Sequence, residues 1–242
     1  MTFRHALTLV GREAARIVLP SWCVVCDREL PWRDRVASCC VACWNDLPRL
    51  DAAQCRSCAL PLPVEDDELC CVECQVDPLP LDWCAAWGVY RGGLERLIHA
   101  LKFERHDFLA GPLARPLLEA AGRYGPLKFD RLVPVPMHRS KLRQRGYNQA
   151  ELLASSLGKA TSVRVDGRLL SKRIERGTQS RLTRSERAAN VRGVFEARPC
   201  EGLALLLVDD VCTTGETLRE CARVLRGAGA ARVCAVTLAK TV

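Results

Sequence analysis

The stretch LLLVDDVCTTGETL, Leu205 to Leu218, restricts the fold of this 242-residue chain more than any other. An unbroken apolar run reads as a strand covered on both faces, since a half-exposed strand would alternate apolar with polar residues. Strands of that kind belong to parallel sheets with helices on either side. Two carboxylates, Asp209 and Asp210, end the run, and a Thr/Gly turn leads into TLRECARVLRGAG (217–229), a helix stopped by Gly227 and Gly229. In open parallel sheets ligands bind beyond the carboxyl ends of the strands, which is where this turn lies.

The neighbouring sequence repeats the alternation. AAWGVY (85–90), RLVPVP (131–136), GLALLLVDD (202–210) and ARVCAVTLA (231–239) read as strands. Residues 93–102, 107–122 and 148–159 read as helices, and VRVDGRLL (163–170) as a further strand before a polar, arginine-rich stretch, 171–192. The second part of the chain is therefore expected to be an α/β domain with a mostly parallel sheet.

The turn itself specifies a ligand. Free N–H groups at a helix N-terminus and the helix dipole favour phosphate. Val211, Cys212, Thr213, Thr214, Gly215, Glu216 and Thr217 are expected to form that cradle, with the glycine allowing close approach and the threonines adding hydroxyl donors. Asp209 and Asp210 would repel a phosphate but suit vicinal hydroxyls, which donate to carboxylates. A phosphate beside a diol is a ribose 5-phosphate. The turn lacks the Gly-Lys-Ser/Thr of a P-loop, and a metal ion is the rival occupant for the aspartate pair.

Ten of the fifteen cysteines lie between Cys23 and Cys74. They include four C-x2-C pairs: Cys23/Cys26, Cys40/Cys43, Cys55/Cys58 and Cys71/Cys74. Two such pairs bridged by a dozen or so residues fit a tetrahedral zinc site, so residues 1–80 are expected to form a double zinc ribbon and 81–242 the α/β domain. Spacing leaves open whether the pairs combine in sequence or crosswise, and whether Cys39 or Cys70 replaces its neighbour. The later cysteines read as small buried apolar residues, Cys212 excepted because it falls in the turn.

Charge separates the same two parts. Residues 1–80 carry eight Lys+Arg against twelve Asp+Glu, whereas 139–192 carries fourteen against four within a chain of net +8. The negative front, whose thiolates add more negative charge, is a poor match for a nucleic-acid backbone, and its zinc is expected to be structural. The basic segment favours a phosphate-bearing partner. The N-terminus, with Phe3, Leu7, Val10, Ala14 and Ile17 on one helical face, reads as an amphipathic helix rather than a signal peptide, and the sequence has no transmembrane segment; a cytoplasmic location is expected.

Leu205–Thr217 resembles the PRPP (phosphoribosyl pyrophosphate) signature of type I phosphoribosyltransferases. VPVPMHRSKLRQRGYNQAELLA (133–154), QSRLTRSERAANVRGVF (179–195), IVLPSWCVVC and LIHALKF (97–103) resemble segments of the ComF family, with Tyr147 where phenylalanine is usual. The resemblance covers nearly the whole chain. It implies a type I phosphoribosyltransferase fold behind two structural Zn2+ sites, with PRPP or a related ribose phosphate and its Mg2+ as ligand. In that fold Asp209 and Asp210 meet the ribose hydroxyls. Pro136, Met137, His138 and Arg139 hold pyrophosphate, with Arg143 or Arg145 near. A mobile loop containing Lys172, Arg173, Gln179 and Arg187 closes over the site. The chemistry it implies is displacement of pyrophosphate from C1 by an acceptor that the sequence does not name. The family name further implies DNA uptake in natural competence, with single-stranded DNA and competence proteins at the inner membrane as partners.

Overall fold

A computed structural model of the chain describes residues 22–30, 35–36, 38–63, 69–173 and 193–242. The expected N-terminal helix and most of the arginine-rich loop, including Gln179 and Arg187, lie outside the described residues. Among the described residues the cysteine-rich front has little regular structure: a ladder of β1 (Arg35–Val36) with β2 (Cys39–Cys40), and two single-turn helices, α1 (Val41–Asn45) and α2 (Val72–Val76). Chelating turns rather than secondary structure define it, as expected where metal ligands replace a core.

The remainder runs β3 (Trp83–Val89), α3 (Gly92–Phe103), α4 (Ala110–Ala121), β4 (Arg131–Pro134), α5 (Arg139–Arg145), α6 (Gln149–Thr161), β5 (Leu170–Lys172), β6 (Phe195–Ala197), β7 (Ala204–Cys212), α7 (Glu216–Gly227) and β8 (Arg232–Lys240). Four strands form one sheet in the order β3-β8-β7-β4, every pairing parallel. The apolar run explains why β7 is central: Leu206 and Val208 pack on one face with α3, α4 and α6, and Leu205 and Leu207 on the other with α7. Both faces bury side chains, as a parallel sheet requires. Among the described residues no helix is long and apolar enough to cross a membrane.

Two expectations change. The strand expected over 163–170 reduces to a single bridge, Val165 to Leu132, and the chain then forms the antiparallel pair β5 and β6 that flanks the arginine-rich loop. Val211 and Cys212, expected in the turn, continue β7, because β8 extends far enough to pair with both, Val211 with Ala239 and Cys212 with Lys240. The turn is therefore short, Thr213 to Gly215.

The front is joined to the sheet along the edge strand. The segment between the two cysteine groups runs antiparallel to β3, with Leu50 N–H bonded to Trp87 O, Val89 N–H to Pro48 O and Cys84 N–H to Arg56 O. Gln54 completes this edge, donating to Ala86 O at 2.8 Å and accepting from Ala86 N–H at 3.1 Å. An exposed strand edge is thereby covered. The approach requires Gly88, where a Cβ would lie 2.5 Å from Pro48 O. Gly88→Ala is expected to destabilise the chain by about 1–3 kcal/mol, the usual cost of forcing extra volume into a packed site, read as a lowered urea midpoint.

Candidate ribose-phosphate site and metal centres

At the carboxyl edge of the sheet lies a cavity of about 800 Å³. Asp209 and Asp210 form its acidic floor. Thr213 and Thr217 line one side, and Pro136 and Met137 another. Cationic groups come from several elements: Lys102 from α3, Lys141 and Arg145 from α5, and Lys172 from β5.

The aspartates differ in role. Asp209 Oδ1 accepts the Asp210 N–H at 2.8 Å. Burial, and then the neighbouring Asp210 charge, push the Asp209 carboxyl up to about 8 despite the nearby Lys102. Asp210 is only 3% exposed, and its Oδ1 meets Lys102 Nζ at 2.9 Å. Its Oδ2 is buried with no hydrogen-bond partner. A buried carboxylate oxygen without a donor is costly, so Lys102 carries most of the compensation for this charge. Burial works against the Lys102 ammonium, but Asp210 and Asp209 outweigh it and raise its pKa.

The turn is held from two sides. Lys240, buried at the end of β8, donates from Nζ to Thr213 O. Gly215 adopts φ +83° and caps α7, a left-handed conformation that suits glycine. Glu216 is buried in the first helical turn beside Arg219 Nε at 3.5 Å, which offsets its charge. Thr214 and Glu216 do not line the cavity.

RGYNQ (145–149) orders the opposite wall. Gly146, φ +89°, ends α5. Tyr147 OH donates to Leu101 O at 2.5 Å, next to Lys102. Asn148 caps α6 through Ala150 N–H and donates to Val135 O at 3.0 Å. Gln149 Oε1 accepts from Arg145 at 2.6 Å, fixing the guanidinium at the cavity. His138 instead caps α5, accepting from Ser140 N–H at 3.3 Å, and neither it nor Arg139 lines the cavity. Arg173 pairs with Glu196 on the adjoining strand.

Lys102, Lys141 and Lys240 are cationic residues of the site that the sequence does not single out, and two of them carry a signal. Lys102 follows Ile98 by one helical turn on the apolar face of α3, and Lys240 ends an otherwise apolar buried strand.

The cysteines form two groups of four, Cys23/Cys26/Cys40/Cys43 and Cys55/Cys58/Cys71/Cys74, with all ligand atoms of a group within 4.8 Å of one another. The pairs thus combine in sequence, and Cys39 and Cys70 stand outside the groups. Tetrahedral Zn–S bonds of about 2.3 Å imply sulfurs about 3.8 Å apart. Cys26 and Cys40 Sγ are 3.9 Å apart, and Cys58 and Cys71 Sγ 3.8 Å. Burial raises the Cys23 thiol, but backbone N–H groups of Cys40, Cys26 and Val25 outweigh it and lower it, whereas burial and hydrogen bonds to the neighbouring cysteines raise Cys43 of the same group. Both groups fit a metal ion.

This fold and site define a phosphoribosyltransferase-fold protein with a zinc-ribbon front. Residues 144–241 match the phosphoribosyl transferase domain model. The DNA utilization protein YhgH of Escherichia coli K12 is 31% identical over 93% of this chain and 99% of its own length. Competence protein F of Haemophilus influenzae is 32% identical over 59% of this chain and 66% of its own, and competence protein ComFC of Bacillus subtilis 26% over 90% and 95%. The chain belongs to the ComF family.

Proposed function

We propose that the cavity binds a ribose 5-phosphate group, PRPP being the ligand that uses all of it. The observation that carries this reading is the Asp209–Asp210 pair on the floor of the cavity that Thr213 and Thr217, on either side of the N-terminus of α7, also line. The 3-hydroxyl or 2-hydroxyl of ribose would donate to this carboxylate pair, and Thr213, Thr217 and the first N–H groups of α7 would take the 5-phosphate. Lys141, Arg145 and Lys172 would face the pyrophosphate, where guanidinium groups pair bidentately with oxyanions. Mg2+ would accompany the ligand and neutralise part of its diphosphate charge. Zn2+ is the metal proposed for both cysteine groups; metal analysis is expected to give close to two zinc ions per chain, and a value near one would leave one group without its metal.

Calorimetry with PRPP·Mg2+ tests the reading. Wild type is expected to bind, and Asp209→Asn/Asp210→Asn to lose about 100-fold or more, since two charge-assisted hydrogen bonds are worth about 3 kcal/mol or more together. A wild type that does not bind sinks it.

A second reading concerns DNA, which the relatives' names connect with competence and DNA utilization. It is supported by Phe103, 61% exposed at the cavity mouth, with the Arg145 guanidinium 4.8 Å over its ring. An exposed ring beside cationic groups is how single strands are held without sequence preference. The proposed role is then handling of single-stranded DNA in the cytoplasm during uptake. Single-stranded DNA affinity is expected to fall steeply between low and moderate salt and to weaken on Phe103→Ala; a flat salt response rules out direct contact.

A further inference from the structure

The phosphate turn and the second cysteine group, far apart in sequence, share one packed contact. Leu79 is buried in the cluster formed by Cys55, Cys58, Cys71 and Cys74. Its N–H donates at 2.8 Å to the hydroxyl of Ser57, which lies between two of the ligands. Its side chain fills the space over the turn: a Cβ on Gly215 would lie 2.9 Å from Leu79 Cδ1. Two polar links flank this contact. Cys212 Sγ donates to Cys58 O at 3.6 Å, and Arg219, on the first turns of α7, pairs with Asp77 Oδ2 at 3.0 Å and donates to Pro78 O at 3.0 Å.

We propose that Leu79 is a positioning residue that couples the metal in the second cysteine group to the phosphate turn, so that metal occupancy there sets the affinity for a ribose 5-phosphate group. The physical reason is that neither the Cys55–Cys58 knuckle nor Leu79 lies in a helix or strand; one backbone bond from β3 to Arg56 O and the turn's own backbone bonds tie the knuckle down, and chelation of its sulfurs would supply the rest. Once the knuckle relaxes, the turn loses the wall behind Gly215 and the acceptor for Cys212. Lys240 then holds it from one side only. Among the described residues the first cysteine group shows no such contact; it packs with α3 on the other face of the sheet. Linkage makes the effect reciprocal, so ligand binding must also be felt at the second metal.

The ligand half of this inference rests on the ribose-phosphate reading; the mechanical half does not, and the experiment separates them. Full-length chain is prepared as wild type, Leu79→Ala, Leu79→Met, Cys74→Ser and, as control, Cys43→Ser. Zinc content, hydrogen exchange of the amides over 213–219, and ribose 5-phosphate binding by calorimetry are measured on each. Leu79→Ala is expected to keep both metals, yet exchange faster over 213–219 and bind about ten-fold more weakly. Leu79→Met is expected to restore both. Cys74→Ser is expected to lose one metal and show the same two defects, whereas Cys43→Ser loses one metal and shows neither. In cadmium-substituted wild type, ribose 5-phosphate is expected to shift the resonance of one metal only, the one that Cys43→Ser retains. Unchanged exchange and affinity in Leu79→Ala overturn the proposal even if Cys74→Ser does not fold. Faster exchange in Leu79→Ala with no ribose 5-phosphate binding by wild type upholds the coupling and overturns the ligand reading instead.

Discussion

Lys102→Met is expected to destabilise the folded chain by about 3 kcal/mol, far more than the loss of any surface ion pair. The ammonium pairs at 2.9 Å with a carboxylate whose side chain is 5% exposed, and the lysine side chain is itself 19% exposed. Removing one partner of such a pair leaves a buried charge uncompensated, a cost of about 3–5 kcal/mol when burial is complete; partial exposure of Lys102 places this site at the lower end. Asp210 Oδ2 already lacks a donor, so no neighbour is in place to share the charge. By contrast, breaking Arg115–Glu119, an exposed pair one turn apart, should cost about 0.5 kcal/mol or less. Asp210→Asn in the Lys102→Met background removes the orphaned charge and should recover most of the loss. Urea midpoints at constant m-value give all four corners of this cycle. A Lys102→Met chain as stable as wild type would mean that Asp210 is protonated or hydrated at that site, and that the pair plays no part in holding the cavity floor.

The contrast between Asp209 and Lys102 shows what the sequence could convey. The aspartates and the Thr/Gly turn were legible because local rules act within one strand–turn–helix unit: an apolar run must be a covered strand, and a glycine-containing turn before a helix presents its N–H groups. The cysteine pairs were legible for a similar reason, since ligand spacing is a short-range constraint. Lys102 lies more than a hundred residues from Asp210, and only the packing of α3 against the sheet makes them neighbours. The same holds for Leu79 on Gly215 and for Lys240 on Thr213. The segment over 48–56 has neither a helical nor an alternating pattern, so nothing local announces that it lies along β3 through Gln54. The turn was expected to begin too early because the ends of β7 depend on how far β8 runs, which the β7 sequence does not specify. His138, expected with the pyrophosphate-binding residues, also stands next to a helix start, and its side chain caps that helix.

The stability of the chain is expected to fall as pH rises from 5 to 8, and Asp209→Asn to abolish most of that fall. Burial and the adjacent Asp210 charge raise the Asp209 carboxyl to about 8, against an ordinary value near 3.8. A carboxyl with a higher pKa folded than unfolded holds its proton more tightly in the folded chain. Its stabilising contribution is therefore complete below about pH 4 and is lost progressively as pH climbs through the folded value. Between pH 5 and 8 the folded chain keeps a proton that the unfolded chain releases, a difference on the order of 3 kcal/mol for a shift of this size. Asparagine has the same shape and no proton to lose, so the variant should be nearly level over this range and more stable than wild type at pH 8. Unfolding midpoints at several pH values provide the test; parallel curves for the two proteins would show that Asp209 is ionised throughout. Ligand affinity should move in the opposite direction. A protonated Asp209 has less capacity to accept from ribose hydroxyls, so PRPP binding by wild type should strengthen from pH 6 to 8 as stability declines. The same carboxylate thus costs the empty fold what it supplies to the bound one, and the calorimetric affinity of Asp209→Asn, weak and changing over that interval only as the ligand's own phosphate ionises with a second pKa of about 6, is the measurement that ties the two effects to one group.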